Sequence, residues 1–198
     1  FKLNKVNNAL SHIGKQTISA GEIIGADSVY NYRNKGILAV ANVDGRIRAG
    51  FYRQRSHELI PAEDCLIQNP LCHKAAKCIT SFMEENSIQP YDEPSGKGVV
   101  RHIFCRKAHY GTDAVLCIVA AKGFGDKTQA LVRRILMDCP ELSGIVLNIN
   151  KTRGNTVLSG DFYTLWGKDT ICDCLCGIKF DVAPQAFYQV NPVQAERL

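Results

Sequence analysis

Basic side chains gather in one segment of the chain, at a spacing that could follow a phosphate backbone. Between residues 30 and 57 the sequence has six basic residues and one acid, Asp44, so this segment alone carries a charge of +5, equal to the net charge of the whole chain. The basic residues are Arg33, Lys35, Arg46, Arg48, Arg53 and Arg55. Because Lys and Arg neutralise phosphates, this segment is the first candidate for a nucleic-acid surface.

A β-hairpin would place four of these basic residues on one face. Asp44-Gly45 is a dipeptide that two-residue hairpin turns favour, since both residues tolerate positive φ, and a turn here pairs Val40 with Ala49. One face then holds the predicted core residues Leu38, Val40, Asn42, Ile47, Ala49 and Phe51. The other face holds the candidate nucleic-acid-binding residues Arg33, Lys35, Arg46, Arg48 and Tyr52. The alternative interpretation of the same pattern is an ordinary solvated face.

Nine cysteines offer a second kind of chemistry. Cys172, Cys174 and Cys176 alternate, so on a strand all three thiols would face one way, as a metal site would need. No C-x-x-C pair or partnering His accompanies them, and we therefore predict small apolar residues on a buried strand face. Cys65 taken alone indicates a structural thiol. Since no signal sequence or compact Cys spacing is present, we expect reduced thiols in a cytoplasmic protein.

No self-contained active site is visible in the sequence. Residues 123–128, G-F-G-D-K-T, follow a predicted strand, but Asp126 stands where a phosphate loop needs its last glycine. We expect a turn in which Asp126 caps the next helix. The five His are scattered, without a catalytic triad or a zinc-binding pair. The pattern therefore gives no support to nucleotide-binding or hydrolase classes.

The elements that must position these residues predict an α+β fold of antiparallel β-hairpins and sheet with two or three packed helices. Helical periodicity covers residues 1–14, 64–86 and 131–139, while residues 30–55 and 99–121 each predict a hairpin. Further strands are expected at residues 144–149, 155–158, 164–166 and 178–182. No linker or repeat interrupts the pattern, so residues 1–198 are predicted to form a single domain.

Composition excludes a membrane-spanning protein. The chain is 45% hydrophobic and 22% charged, as a globular protein is. Its longest apolar run, residues 114–121, is far shorter than the roughly 20 residues that a membrane-spanning helix needs. The chain begins with Phe1 and has no leader pattern, which we interpret as a processed or excised piece.

The C-terminal stretch resembles a known family. Residues 178–191, I-K-F-D-V-A-P-Q-A-F-Y-Q-V-N, continuing to Gln194, Ala195 and Leu198, resemble a segment of the S-adenosylmethionine-dependent RNA uracil-5-methyltransferases, in particular the 23S rRNA type. Other blocks agree in the same order: residues 32–35 (Y-R-N-K), 50–52 and 56–58 (G-F-Y and S-H-E), 63–65 (E-D-C), 98–102 (G-V-V-R-H), 148–150 (N-I-N) and 165–167 (L-W-G). The resemblance covers essentially all 198 residues.

This resemblance implies the central, RNA-facing domain of a larger methyltransferase, without the small N-terminal barrel and the C-terminal Rossmann-like catalytic domain. It implies that Gln189 binds S-adenosylmethionine and that Phe187 lies near the target base, which is flipped out for methylation. Cys65 matches the fourth ligand of a [4Fe-4S] cluster, whose other three ligands would precede Phe1. The implied partner is rRNA, with no obligate protein partner and no membrane.

The resemblance also implies which chemical groups are missing. In the family a Cys thiolate adds to C6 of uracil, which raises the nucleophilicity of C5 toward the methyl group, and a Glu removes the C5 proton. Both would lie beyond Leu198, so we predict no catalytic residue within this chain and no methyl transfer by it alone. Two rival interpretations stay open: a stand-alone RNA-binding module without catalysis, and a thiol-based metal or redox protein.

Overall fold

A central β-sheet organises the chain. The computed structural model describes residues 1–152 and 156–198, and within them one sheet has seven strands in the order β3-β2-β1-β4-β5-β6-β7. The strands are β1 (Lys35–Val43), β2 (Arg46–Tyr52), β3 (Leu59–Pro61), β4 (Val100–Lys107), β5 (Ala114–Ala120), β6 (Gly144–Ile149) and β7 (Asp161–Gly167). Neighbouring strands are antiparallel except β5 and β6, which are parallel.

The first hairpin has the predicted register. Val40 pairs with Ala49, and the turn residues Asp44 and Gly45 have φ values of +51° and +78°, as a two-residue turn with positive φ at both positions requires. The side-chain alternation is confirmed where α-helices cover the sheet. Two predicted core residues are nevertheless exposed: Asn42, which lies near the turn, and Phe51, which follows Gly50, where the pairing between β1 and β2 ends.

Two helices cover one face of the sheet. Helix α2 (Pro70–Glu85) begins later than residue 64 because Asn69 caps it, its side chain accepting a hydrogen bond from the Leu71 amide, and Pro70 occupies the first turn. Helix α3 (Thr128–Asp138) connects β5 to β6, and the parallel pair requires such a crossover. The predicted apolar faces of both helices are buried in the main core, which contains Leu38, Ile79, Ile103, Leu131, Ile135 and Ile145.

A small second sheet covers the opposite face. It consists of β8 (Ile171–Leu175) and β9 (Ile178–Val182), and its Ile171 and Val182 pack on Phe104, Val115 and Val146 of the large sheet. The chain continues through residues 183–191 into the short helix α4 (Pro192–Arg197). At the other end, α1 (Lys2–Asn8) and a π-helical turn (Ala9–Ile13) bury no side chain.

The α+β class with antiparallel hairpins is confirmed, and several local predictions are wrong. Part of the strand expected at residues 155–158 lies outside the described residues, and residues 156–158 are not a strand. Asp126 lies in a 3₁₀ turn before α3 and makes no capping hydrogen bond. No helix within residues 1–152 and 156–198 is long and apolar enough to cross a membrane.

The prediction for the alternating cysteines is also wrong. Cys172 is exposed and Cys174 is half-buried, whereas Asp173 between them is buried. Cys176 has a φ of +50° and forms the turn before β9 together with Gly177. Alternation along β8 is real, but the buried face is the one that carries Asp173.

Candidate nucleic-acid interface

The F-Y-Q-V-N segment presents two side chains to solvent and buries the one between them. Phe187 is 84% exposed and Gln189 is exposed, while Tyr188 is only 6% exposed. The Tyr188 ring packs edge-to-face on Phe180, with 5.3 Å between ring centroids. The burial of Tyr188 fixes the middle of the segment, so the exposed Phe187 and Gln189 on either side of it are presented on a fixed backbone.

The buried carboxylate of Asp173 holds Tyr188 in place. Asp173 accepts hydrogen bonds from the Tyr188 hydroxyl (3.1 Å) and from the backbone amides of His109 (2.9 Å), Tyr110 (2.8 Å) and Cys174 (2.9 Å). Burial, and next the nearby Asp173 charge, raise the pKa of Tyr188, so its hydroxyl stays a donor. One side chain therefore connects the β4-β5 loop, β8 and the F-Y-Q-V-N segment.

Arg106 fixes the loop that leads into this segment. Its guanidinium is buried and donates to the carbonyl oxygens of Ala183 (2.6 Å) and Ala186 (2.9 Å). It also lies over the Phe104 ring, 5.3 Å from the centroid. Burial lowers the pKa of Arg106 to about 10, which still leaves it charged at neutral pH.

Asn34 joins the F-Y-Q-V-N segment to the start of β1. Its side-chain Nδ2 donates to the Gln189 carbonyl (3.0 Å), and its backbone amide donates to the Val190 carbonyl (2.9 Å). Asn34 stands between Arg33 and Lys35, so these two basic residues flank the segment's attachment point. The structure thus brings together parts of the Y-R-N-K and F-Y-Q-V-N blocks that are 155 residues apart.

The predicted basic face is divided into two separate ends. Lys35 is the first residue of β1, and Arg46 pairs with the last residue of β1, Val43. Lys35 and Arg46 are therefore roughly 26 Å apart along the strand. Arg48 at the turn end pairs with Glu63 at 2.7 Å. Among the described residues, Arg33 and Lys35 make no ion pair, and burial, followed by the charges of Arg106 and Arg33, lowers the pKa of Lys35.

Tyr52 lies at a third position, in a pocket of about 250 Å³ that Arg101 and His102 also line. Its ring meets His57 edge-to-face, with centroids 6.0 Å apart. Burial, and secondarily Glu93, raise the pKa of Tyr52. The five candidate residues on the hairpin are therefore distributed over three sites, and only Arg33 and Lys35 adjoin Gln189.

His102 makes the protein's stability dependent on pH. Burial first, and the Arg101 charge second, lower the pKa of His102 from 6.5 to about 4. The unfolded chain therefore takes up a proton between pH 6.5 and 4 that the folded protein does not, so stability present above pH 6.5 is lost as the pH falls. We expect the urea midpoint to drop between pH 7.5 and 4.5, and to drop less in His102→Gln. Equal losses in both proteins would contradict this assignment.

Cys65 lies in a loop whose conformation His73 fixes. The Cys65 amide donates to His73 Nε2 (3.2 Å), and His73 Nδ1 donates to the Ala62 carbonyl (3.1 Å); one tautomer satisfies both contacts. A [4Fe-4S] cluster needs four Cys thiolates. The described residues contain no group of three or more metal-ligating side chains, so they do not by themselves fit a cluster.

Sequence reasoning missed three residues that position the segment. Asn34 belongs to a block used for the resemblance, yet no local pattern reveals its contact with Gln189. A signal did exist for Arg106, because it directly follows the apolar run Ile103-Phe104-Cys105 within β4. Asp173 gave a similar signal, because it is a charged residue between two cysteines on a predicted strand. A charged residue in such a place indicates a buried hydrogen-bond network or a binding role.

Comparison with known proteins gives a consistent set of relatives. No protein-family model matches the chain. An uncharacterized RNA methyltransferase of Listeria monocytogenes is 38% identical over 198 residues, covering 100% of this chain and 44% of the relative. Proteins of the same name from Clostridium acetobutylicum and Streptococcus mutans are 38% and 33% identical, again over 100% of this chain and 44% of the relative. The chain thus spans less than half the length of the curated relatives it matches.

One solved structure shares the fold. The crystal structure of the Pyrococcus abyssi tRNA (uracil-54, C5)-methyltransferase in complex with S-adenosyl-L-homocysteine superposes with a TM-score of 0.78 at 19% identity. The match covers 99% of this chain and 45% of that chain. At this identity the likeness establishes the architecture.

Proposed function

The chain belongs to the family of RNA methyltransferases that these bacterial relatives represent, and from that membership we propose that it is the central, RNA-facing domain of an S-adenosylmethionine-dependent uracil-5-methyltransferase. The observation that carries this proposal is the exposed pair Phe187 and Gln189, held on a fixed backbone beside Arg33 and Lys35. We further propose that residues 1–198 act as one domain, on 23S rRNA, in the cytoplasm.

The roles of the residues follow from this geometry. The Gln189 side chain is exposed while its backbone is held, so its amide is available to bind S-adenosylmethionine. S-adenosylmethionine supplies the methyl group when bound. The exposed Phe187 ring can lie against a base that has left its stack. Arg33 and Lys35 hold phosphates and fix the register of the RNA, whereas base contacts carry its sequence.

The solved neighbour supports the finer part of the proposal. Its name specifies methylation of uracil at C5, and its structure contains S-adenosyl-L-homocysteine, the product that the cofactor leaves after methyl transfer. That protein acts on tRNA, whereas we propose 23S rRNA, so a comparison of the two RNAs as substrates tests this part of the proposal. We expect a longer protein that carries this chain to transfer more methyl groups to 23S rRNA than to tRNA.

Methyl transfer tests the proposal directly. We expect no transfer from labelled S-adenosylmethionine to RNA by the 198-residue chain alone, because the family's nucleophilic Cys and its Glu base have no counterpart here. A longer protein that carries this chain together with those residues should transfer methyl groups to uridine C5. Transfer by the 198-residue chain would refute the prediction that this chain contains no catalytic residue. RNA binding by the longer protein without transfer would favour a module that only binds RNA.

The salt dependence of RNA binding tests the basic residues separately. Each lost phosphate contact with single-stranded RNA should flatten the plot of log affinity against log salt by roughly 0.7. Replacing Arg33 and Lys35 together by alanine should therefore reduce the slope by about 1.4 and weaken all sequences alike. Arg48→Ala is the matched control, since Arg48 already pairs with Glu63. An unchanged slope in the double variant would show an ordinary solvated surface.

A further inference from the structure

A pocket opens at the start of β1, where the sheet is incomplete. The pairing of β1 with β2 runs from Ala39 and Gly50 toward the turn and does not include Phe51 or Tyr52, which pair with β3 along the other edge of β2. Residues 35–38 therefore face a gap on the β2 side. Residues 67–68 close the gap from one end, since the Arg33 amide donates to the Ile67 carbonyl (3.0 Å). The pocket is open to solvent and has a volume of about 360 Å³, within the range of small-ligand sites.

The walls of this pocket combine an apolar surface with uncompensated positive charge. Phe51 is 39% exposed and lies with Ile37 and Ile67, while Arg33 and Lys35 form the charged side. Neither basic residue pairs with an acid in the described part of the chain. Burial, and after it the positive charges of Arg106 and Arg33, lower the pKa of Lys35, in agreement with this geometry. A ligand with a flat apolar face and a negative group fits both walls.

One buried amide is left without a partner in the pocket wall. Gln68 is 4% exposed, and its Oε1 has no hydrogen-bond partner among the described residues. Its backbone is fixed, since the Gln68 amide donates to the Cys65 carbonyl (3.1 Å). A Cβ built on Gly36 would lie 2.9 Å from this Oε1, so the glycine leaves room for the amide. A buried acceptor without a donor costs free energy, and a ligand N–H would satisfy it.

We propose that this pocket binds a second nucleotide of the RNA, next to the one that is methylated. Its base stacks on Phe51 and hydrogen-bonds to the Gln68 amide, which can both donate to and accept from a base edge, and its phosphate lies between Arg33 and Lys35. Asn34 separates these two basic residues and holds Gln189, so the pocket adjoins the proposed cofactor and target-base site. This inference rests on the proposed function and adds a subsite to it.

The neutral substitution Phe51→Ala tests the pocket without altering the charge that attracts RNA. We expect Phe51→Ala to weaken binding of fluorescently labelled single-stranded heptaribonucleotides by about tenfold, because one base loses its stacking partner. The slope of log affinity against log salt should stay that of the parent protein, since no phosphate contact is removed. Tyr163→Ala is the matched control: it removes a similarly exposed ring from β7, at the far edge of the sheet.

Gln68→Glu gives a second variant that keeps the shape of the buried side chain. It removes the amide donor and adds a negative charge beside the phosphate, so binding should weaken further than in Phe51→Ala. Thermal unfolding of each variant shows whether the fold is retained.

Two outcomes overturn the inference and are distinguishable. Parent-like affinity in both folded variants, with the Arg33 and Lys35 double variant still flattening the salt slope, would refute the pocket alone. Absence of RNA binding by the parent protein would refute the proposed function and the pocket with it.

Discussion

Asp173→Ala is expected to lower the free energy of unfolding by about 3–4 kcal/mol, which is a large effect for a single polar substitution. The carboxylate is buried and accepts four hydrogen bonds, three of them from backbone amides. Removing it leaves these donors partly buried and unpaired. Urea denaturation monitored by circular dichroism measures the loss.

Matched variants separate the hydrogen bonds from the charge. Asp181→Ala on β9 removes an exposed carboxylate from the neighbouring strand and should change stability by less than about 0.5 kcal/mol. Tyr188→Phe removes one of the four hydrogen bonds and should cost about 1 kcal/mol. Equal stability of Asp173→Ala and Asp181→Ala would show that the buried carboxylate does not hold β8 and the F-Y-Q-V-N segment together.

Arg106→Ala is expected to lower the free energy of unfolding by about 3 kcal/mol and to loosen residues 183–190. The guanidinium is 1% exposed, donates to two carbonyls of that loop, and stacks on Phe104. Its removal creates a cavity, takes the guanidinium donor away from the Ala186 carbonyl, and leaves the Ala183 carbonyl with the Ala186 amide as its donor. Urea denaturation gives the global loss, and faster amide hydrogen exchange at residues 183–190 gives the local one.

A conservative variant distinguishes positioning from charge. Arg106→Lys keeps the positive charge but lacks the planar fork that reaches two carbonyls at once, so we expect less than half of the lost stability to return. Lys107→Ala, the next residue along β4, is the control and should leave exchange at residues 183–190 unchanged. Full recovery in Arg106→Lys would show that charge alone suffices.

Both predictions concern the same structural requirement. Phe187 and Gln189 lie on an irregular segment that has no strand partner, so their positions depend on side chains from elsewhere in the fold. Asp173, through Tyr188, fixes the middle of the segment, Arg106 fixes the loop before it, and Asn34 fixes its end. The proposed cofactor and target-base site needs this support from rigid elements.

Local patterns predicted the first hairpin and the helix faces well. Asp44-Gly45 specifies its turn through the φ values that both residues tolerate, and the turn then fixes the register of β1 and β2. Apolar residues at helical spacing predicted which sides of α2 and α3 are buried. These features depend on residues that are close in sequence.

The same patterns could not show what lies over each face. Alternation in β8 separated Cys172 and Cys174 from Asp173, but only the packing of β8 on Phe104 and Val115 decides that the carboxylate side is buried. Alternation in β1 grouped Lys35 with Arg46 and Arg48, yet the length of the strand separates them into two ends. The parallel pairing of β5 and β6 was likewise missed, since a strand pattern carries no direction.

The sequence by itself determined the resemblance to RNA methyltransferases, most of the elements and the residue types proposed for RNA and cofactor binding, because sequence blocks and short-range periodicity can be identified without knowledge of the fold. Only the tertiary structure decided which of those residues meet. Asn34 reaches Gln189 across 155 residues, and Arg106 reaches Ala186 across 80. The pocket at the start of β1 lies where the pairing between β1 and β2 ends, after Gly50. Such contacts come from the packing of distant strands, which no local pattern in the chain encodes.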